Sequence, residues 1–297
     1  KFFQGILNAR LVYTLQIPFI MAGSSDVVTC EITDEGIAVV VINRPKAMNS
    51  ISPEVAVRLA NTWKSVNEDP AVRVVVLTGA GDKVFSSGAD LKRLITLVNG
   101  ARKAEDEWDR AYMANPGLVN SALLRNDSAL DKPIIAAVNG SALAGGCELM
   151  QGTDIRVLAD HAKVGLSEAK RGLFPAGGSS VRMPRQVPYA KAMELLLTAE
   201  PVSAKEALEM GFVNYVLPKE QVLPKAMEIA RMIASNGPVA VQQIRRSVKA
   251  CLSIPDLAMA MKKESELAKV VFAHPDAKEG ARAFAEKRKP VWGRSKL

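Results

Sequence analysis

The sequence predicts an α/β (α+β) fold with an appended helical region, and three observations carry that prediction. Short runs rich in Val and Ile, "IAVVVIN" (37–43), "VRVVVLTG" (72–79), "KPIIAAVNG" (132–140) and "DIRVLAD" (154–160), read as buried strands. Helix-like segments alternate with them, and from about residue 190 the pattern is helical throughout. A chain of 297 residues is long enough to bury a substantial core beneath such layers.

Taken in order, "VVTCEI" and "IAVVVIN" flank the turn "TDEG", which predicts a hairpin near 27–43. Ser52 and Pro53 then open a helix as its cap and first residue, and Val55, Leu59, Trp63 and Val66 recur at helical spacing. The strand at 72–79 ends in the turn "GAGDKVFSSGAD", followed by helix-like "LKRLITLV" (91–98). The charged stretch 93–131, with Trp108 and Tyr112, has a composition that predicts exposure. After the strands at 132–140 and 154–160, "SAKEALEMG" (203–211) carries a capping box, Ser203 with Glu206, and a Gly stop. Segments 218–236, 238–252, 255–273 and 277–288 read as helices separated by Pro, Gly or Asn. Residues 1–20 contain no acid and precede Met21, so they are expected to be an upstream extension; 21–200 form the core and 201–297 a C-terminal helical region.

Composition narrows the function classes. An apolar fraction of 48% with 24% charged residues is ordinary for a globular protein. Three cysteines without a C-x-x-C pair and two separated histidines argue against a metal site or disulfide framework and suit a cytoplasmic location. The net charge of +8 comes from Lys and Arg spread among acids, as in "AKEGARAFAEKRKP" (277–290). That pattern reads as solvated helix faces and no nucleic-acid site, while a positive surplus suits an anionic, phosphate-bearing substrate. No run reaches the roughly 18 apolar residues of a membrane span.

Chemistry concentrates where strands end. "FSSGADL" (85–91) and "NGSALAGGCEL" (139–149) are glycine-rich turns that feed helices, and a helix start presents unpaired N–H groups with a positive partial charge. Two such starts on one point would form an oxyanion hole from backbone alone, although each turn taken singly reads equally well as a tight turn.

Five segments, "INRPKAMNSI" (42–51), "FSSGADL", "IAAVNGSALAGGCEL" (135–149), "AKVGLSEAKRGLFPAGGSS" (162–180) and "AFAEKRKP" (283–290), stand in an order that resembles the crotonase superfamily and looks like its enoyl-CoA hydratase branch, most like the actinobacterial members. The resemblance covers roughly 27–290 and implies a spiral of strand-strand-helix units whose C-terminal helices build a homotrimer or a dimer of trimers. It maps two backbone oxyanion donors onto Ala89 and Gly145 and two catalytic carboxyls onto Glu148 and Glu168. It places coenzyme A contacts at Lys46, Ala47, Ala89, Asp90, Leu91 and Lys92, with Phe284 and Lys287 arriving from the tail, often of a neighbouring subunit. Lys92 and Lys287 read equally as surface lysines, Asp90 as a turn brace, Cys147 as a packed residue and His161 as a surface histidine.

The implied activity is hydration of a trans-2-enoyl-CoA to a 3-hydroxyacyl-CoA, with coenzyme A as part of the substrate and no separate cofactor. Hydration needs a proton acceptor for water and a proton donor for carbon, so two carboxyls point to it. Another crotonase-fold isomerase or dehydratase, or a non-catalytic acyl-CoA binding protein, is the alternative. Ala144 stands where a third glycine is commoner, Ser167 where proline is, Ser86 and Ser87 replace other small residues, and "GGSSVRMPRQVP" (177–188) replaces a Thr-Gln-Arg pattern. These departures bear on substrate range, since both carboxyls remain.

Overall fold

A hairpin opens the chain as described by the computed structural model, which covers residues 26–115, 117–125 and 130–293; the expected extension at 1–20 lies outside them. Strands β1 (Val28–Ile32) and β2 (Ile37–Ile42) pair antiparallel, with Val28 opposite Ile42. Gly36 turns the corner at φ 78, where a Cβ would also strike the Ala71 carbonyl. Helix α1 (Pro53–Glu68) starts as expected: Ser52 accepts from the Val55 N–H at 3.3 Å, and Val55, Leu59, Trp63 and Val66 are all buried.

Three strand–strand–helical units follow. In the first, β3 (Val74–Gly79) and β4 (Val84–Ser86) lead into a helical turn at Leu91–Ile95 that continues as α2 (Thr96–Val98). Helices α3 (Glu107–Ala114) and α4 (Leu118–Ala122) come next and pack on α1. In the second, β5 (Ile134–Val138) and β6 (Ser141–Leu143) lead into α5 (Gly145–Gln151). In the third, β7 (Ile155–Ala159) and β8 (Lys163–Gly165) lead through a 3-10 turn, Ala169–Arg171, to α6 (Ser179–Gln186) and α7 (Tyr189–Thr198). The chain then runs through β9 (Val202–Ser203), α8 (Ala204–Glu209), β10 (Tyr215–Leu217) and α9 (Lys219–Ala234). It closes with α10 (Pro238–Cys251), α11 (Leu257–Ala273) and α12 (Pro275–Ala285).

The first strand of each unit enters one six-stranded sheet in the order β1-β2-β3-β5-β7-β10, parallel from β2 onward. The second strands form a smaller sheet, β4-β6-β8-β9, whose first three members run parallel. Strands β2, β3 and β5 are buried along their whole length, which is why they read as unbroken apolar runs. This is the strand-strand-helix spiral the sequence implied, and the C-terminal helices are present as expected.

The charged stretch meets its prediction in part: residues 98–115 are largely exposed, with a buried acid among them, while 118–124 turn into the core. Asp109 is wholly buried, held by the Arg102 and Arg93 guanidinium groups, and Trp108 and Tyr112 pack against the core. Salt bridging lets this one acid lie buried beside α1 in a segment that is otherwise largely exposed. Arg58 stacks over the Trp108 ring at 4.8 Å, and Trp63 Nε1 donates to the Ala122 carbonyl at 3.1 Å. Among the described residues no helix is long and apolar enough to cross a membrane.

The α1 cap sits one residue after Ile51, which bridges Ala89 in the β4–α2 turn. Replacing Ser52 by Ala should lower the unfolding free energy by about 1 kcal/mol, measured by urea denaturation.

Candidate active site

The two glycine-rich turns meet because side chains are missing from both. Gly88 sits at φ 91, and a Cβ there would fall 2.7 Å from both the Ala144 Cβ and the Gly145 nitrogen. A Cβ on Gly145 would lie 3.4 Å from the Ala89 nitrogen, so the two turns bring these backbone nitrogens near one another. Gly146 presses against β4, where a Cβ would reach within 2.3 Å of the Ser86 carbonyl. Helix α5 has no side-chain cap, and neither Ala89 N–H nor Gly145 N–H meets an acceptor among the described residues. Paired, unspoken-for donors at a helix start are suited to holding an oxygen that gains negative charge.

The first turn is braced from three sides. Ile51 N–H donates to the Gly88 carbonyl at 2.8 Å, and Asp90 N–H donates to the Ile51 carbonyl at 2.9 Å. Asp90 caps the helical turn at Leu91, accepting from Lys92 and Arg93 N–H, and its other oxygen receives the Arg44 guanidinium at 3.2 Å. Arg44 also donates to the Ser50 carbonyl at 2.7 Å. Asn49, at φ 50, accepts from Arg44 N–H and donates to the Ala80 and Val84 carbonyls, each at 2.9 Å. Asp90 therefore braces this turn. Arg44 and Asn49 belong to the same frame, and nothing in the sequence of their segment marks that role.

Glu148 lies in the first turn of α5, 4% exposed, and its Oε1 accepts from the Ser179 N–H at 3.2 Å. Gly177 makes room for it, since a Cβ there would come within 2.3 Å of Oε2. Burial, and next the charge of Glu168, push the Glu148 carboxyl up to about 7, against the opposing N–H groups of Ser179 and Gly177. Glu168, 8% exposed, precedes the 3-10 turn, and burial raises its carboxyl as well. Its Oε2 is buried with no hydrogen-bond partner. Two neighbouring carboxyls whose proton affinities are both raised can hold one proton between them, which is the state needed to take a proton with one and give it with the other.

The structure thus brings together Ala89, Gly145, Glu148 and Glu168. Lys46, Leu91 and Lys92 are exposed, and Ala47 is half-buried, on the rim formed by the braced turn. Phe284, 88% exposed, and Lys287 stand apart: among the described residues no hydrogen bond or ion pair joins them to that turn. Cys147 is fully buried with its thiol pushed up to about 12 by burial, and His161 is exposed. No group of three or more His, Cys, Asp or Glu suited to a metal ion occurs among the described residues.

The family described as enoyl-CoA hydratase/isomerase matches residues 32–295. Enoyl-CoA hydratase EchA19 of Mycobacterium tuberculosis is 46% identical over 252 residues, covering 85% of this chain and 91% of that protein. The crotonyl-CoA hydratase of Syntrophomonas wolfei is 39% identical, covering 86% and 94%. Among solved structures, an enoyl-CoA hydratase from Mycobacterium tuberculosis superposes with a TM-score of 0.80 at 35% identity, covering 91% of this chain and all of that one.

Two stability measurements check this geometry. Ala144 occupies φ 50, ψ −127, a region that favours glycine. Ala144→Gly should stabilise the protein by about 1 kcal/mol, the relief of strain exceeding glycine's entropic cost. The Glu148 carboxyl binds its proton more tightly folded than unfolded, so its contribution to stability is full below about pH 4.5 and lost as pH rises through about 7. Glu148→Gln should consequently gain little at pH 4 and on the order of 3 kcal/mol at pH 8, read from paired denaturation curves.

Proposed function

The chain belongs to the enoyl-CoA hydratase/isomerase family, and we propose that it is an enoyl-CoA hydratase, adding water across the C2–C3 double bond of a trans-2-enoyl-CoA to give a 3-hydroxyacyl-CoA. The observation that carries this reading is the buried pair Glu148 and Glu168 beside two backbone N–H groups that meet no acceptor among the described residues. The N–H groups of Ala89 and Gly145 would hold the thioester oxygen and draw electron density from C3. Water between the carboxyls attacks C3, losing one proton to a carboxylate, while the protonated partner delivers one proton to C2. We assign water activation to Glu148 and the C2 proton to Glu168, and the donors stabilise the enolate-like state between the two events. An isomerase would need a proton moved along the acyl chain and no water added, for which the second carboxyl is superfluous.

Coenzyme A would lie along the braced turn, with Lys46 and Lys92 near its phosphates and the backbone of Ala89, Asp90 and Leu91 against its pantetheine arm. Phe284 and Lys287 would complete the nucleotide site from a neighbouring subunit, which accounts for their distance from the turn within one chain. Helix α11 has no buried residue and exposes Leu257, Met259, Met261 and Phe272, an apolar surface that assembly would cover. We place the protein in acyl-CoA catabolism as a homotrimer or dimer of trimers.

Two experiments test the reading. Glu148→Gln and Glu168→Gln should each lower kcat for crotonyl-CoA hydration by ~10²- to 10⁴-fold with little change in acyl-CoA affinity. The double variant should lose less than the product, because the pair acts on one water. Near-parental turnover by either single variant would contradict the mechanism. Sedimentation should give three or six times the chain mass at micromolar concentration, and a stable monomer would contradict the assembly.

A further inference from the structure

Beyond α12 the chain turns back along the helix it has just left. Lys287 N–H donates to the Phe284 carbonyl at 3.2 Å and Arg288 N–H to the Ala283 carbonyl at 3.0 Å, the bonds of a left-handed helix stop with Lys287 at φ 53. Val291 N–H then reaches the Glu279 Oε1 at 2.9 Å and Gly293 N–H the Asp276 Oδ1 at 2.9 Å, so residues 288–293 run back toward the start of α12. Glu279, whose side chain is 13% exposed, also receives Arg288 Nη1 at 2.7 Å, Arg288 Nη2 at 3.0 Å and Arg282 Nη2 at 2.8 Å. Trp292 seats the far end: its Nε1 donates to the Ser235 carbonyl at 2.8 Å, and its ring lies against Gly237 and Gly280.

Two residues stand against their local preference to make this return. A left-handed helix stop is usually glycine, because a side chain there crowds the following carbonyl, yet lysine occupies this one. Gly280 lies in the middle of α12, where glycine weakens a helix, and a Cβ there would come 3.1 Å from the Trp292 ring. Ending a helix needs neither device, since the two main-chain bonds at Lys287 and Arg288 suffice. The corner they serve carries Phe284, 88% exposed, and Lys287, exposed and without a carboxylate partner among the described residues. Arg282 and Arg288, by contrast, are paired with Glu279 and Glu286. An open aromatic ring and an unpaired ammonium three residues apart suit a base and a phosphate.

We propose that the segment Arg288–Gly293 positions this corner for coenzyme A: Trp292 and Glu279 are positioning residues that hold Lys287 in its left-handed turn, beside Phe284, where it meets the phosphates of coenzyme A on a neighbouring subunit. The inference rests on the reading of Phe284 and Lys287 as nucleotide contacts and adds what fixes them. Released from Trp292 and Glu279, the last turn of α12 is free to fray, and Lys287 relaxes to the right-handed or extended backbone that a lysine prefers. The ammonium must then be ordered each time the nucleotide binds, which weakens binding. The carboxyls and the backbone donors at Ala89 and Gly145 belong to other elements and keep their places.

The test compares the Kd of coenzyme A by calorimetry, KM and kcat for crotonyl-CoA, and kcat/KM for crotonyl-pantetheine, which lacks the nucleotide. In Trp292→Ala, Kd and KM should rise roughly five- to tenfold while kcat holds, the loss expected when a phosphate contact to a charged group is weakened. Turnover of crotonyl-pantetheine should stay at the parent value. Trp292→Phe, which keeps a ring against Gly237 and Gly280, should recover most of the affinity. Lys287→Ala should raise Kd by a similar factor, and adding Trp292→Ala to it should cost little more, because both act at one corner. If Trp292→Ala does not fold, Glu279→Gln, which loses the charge paired with Arg288, should show the same pattern. A parental Kd in whichever of these variants folds, an equal fall with crotonyl-pantetheine, or weakening seen only together with dissociation of the assembly in sedimentation overturns the positioning role. If Lys287→Ala weakens coenzyme A binding when that happens, the nucleotide contact stands without the returning segment. If Lys287→Ala is silent too, the reading of the tail falls with it, while the hydratase reading is still decided by Glu148→Gln and Glu168→Gln.

Discussion

The contact of Gly88 with Ala144 and Gly145 is the constraint on which the rest of the molecule depends. Two chain segments more than fifty residues apart in sequence approach so closely that a single added methyl group at Gly88 would overlap main-chain and side-chain atoms together. Only an underlying pair of sheets can hold backbones at that spacing. The large sheet fixes where β3 and β5 end; the small one, through β4 and β6, sets the angle at which each turn enters its helix. Asn139 ties the two turns beneath the contact, accepting from Gly79 N–H at 3.1 Å and donating to the Gly81 carbonyl at 2.8 Å. The Arg44–Asp90 pair then keeps the first turn from swinging outward.

From that contact the electrostatics follow. A helix start with no side-chain cap, facing a second free N–H, favours negative charge at one point, while the carboxyls nearby are kept from easy ionisation by burial. The same desolvation that makes Glu148 a usable acid or base near neutral pH costs folding free energy once the group is charged. Ala144 adds a second local cost at the same place, in backbone conformation. Both costs are tolerable because the parallel strands beneath are buried along their length and supply the stability that the site gives up.

Legibility in the sequence followed the length of each element. The hairpin, α1 and the buried strands of the large sheet each span five or more residues with clear patterning, and Ser52 and Ser203 announced their caps. Strands β4, β6, β8 and β9 have two or three residues apiece, too few for any periodicity, so the second sheet was invisible except through the glycines around it. Asp109 misled composition because a buried acid paired with two arginines looks, in sequence, like any surface charge. In the site, Glu148 was legible as a lone carboxylate after two glycines, and Glu168 through its motif. Ser179 and Asn49 were not, since what distinguishes them is which atoms they meet across the fold. Asn49 is a residue type that tolerates the positive φ it adopts, but that conformation shows only in the fold.

The central claim is that the two carboxyls add one water across a double bond held by the two backbone donors. Isotopic labelling tests it most directly: crotonyl-CoA incubated with the protein in ¹⁸O-enriched D₂O, with the product analysed by mass spectrometry and NMR. The account predicts 3-hydroxybutyryl-CoA carrying ¹⁸O on C3 and a single carbon-bound deuterium, at C2. Recovery of an acyl-CoA with a displaced double bond and no ¹⁸O, or of unlabelled crotonyl-CoA alone, would contradict it.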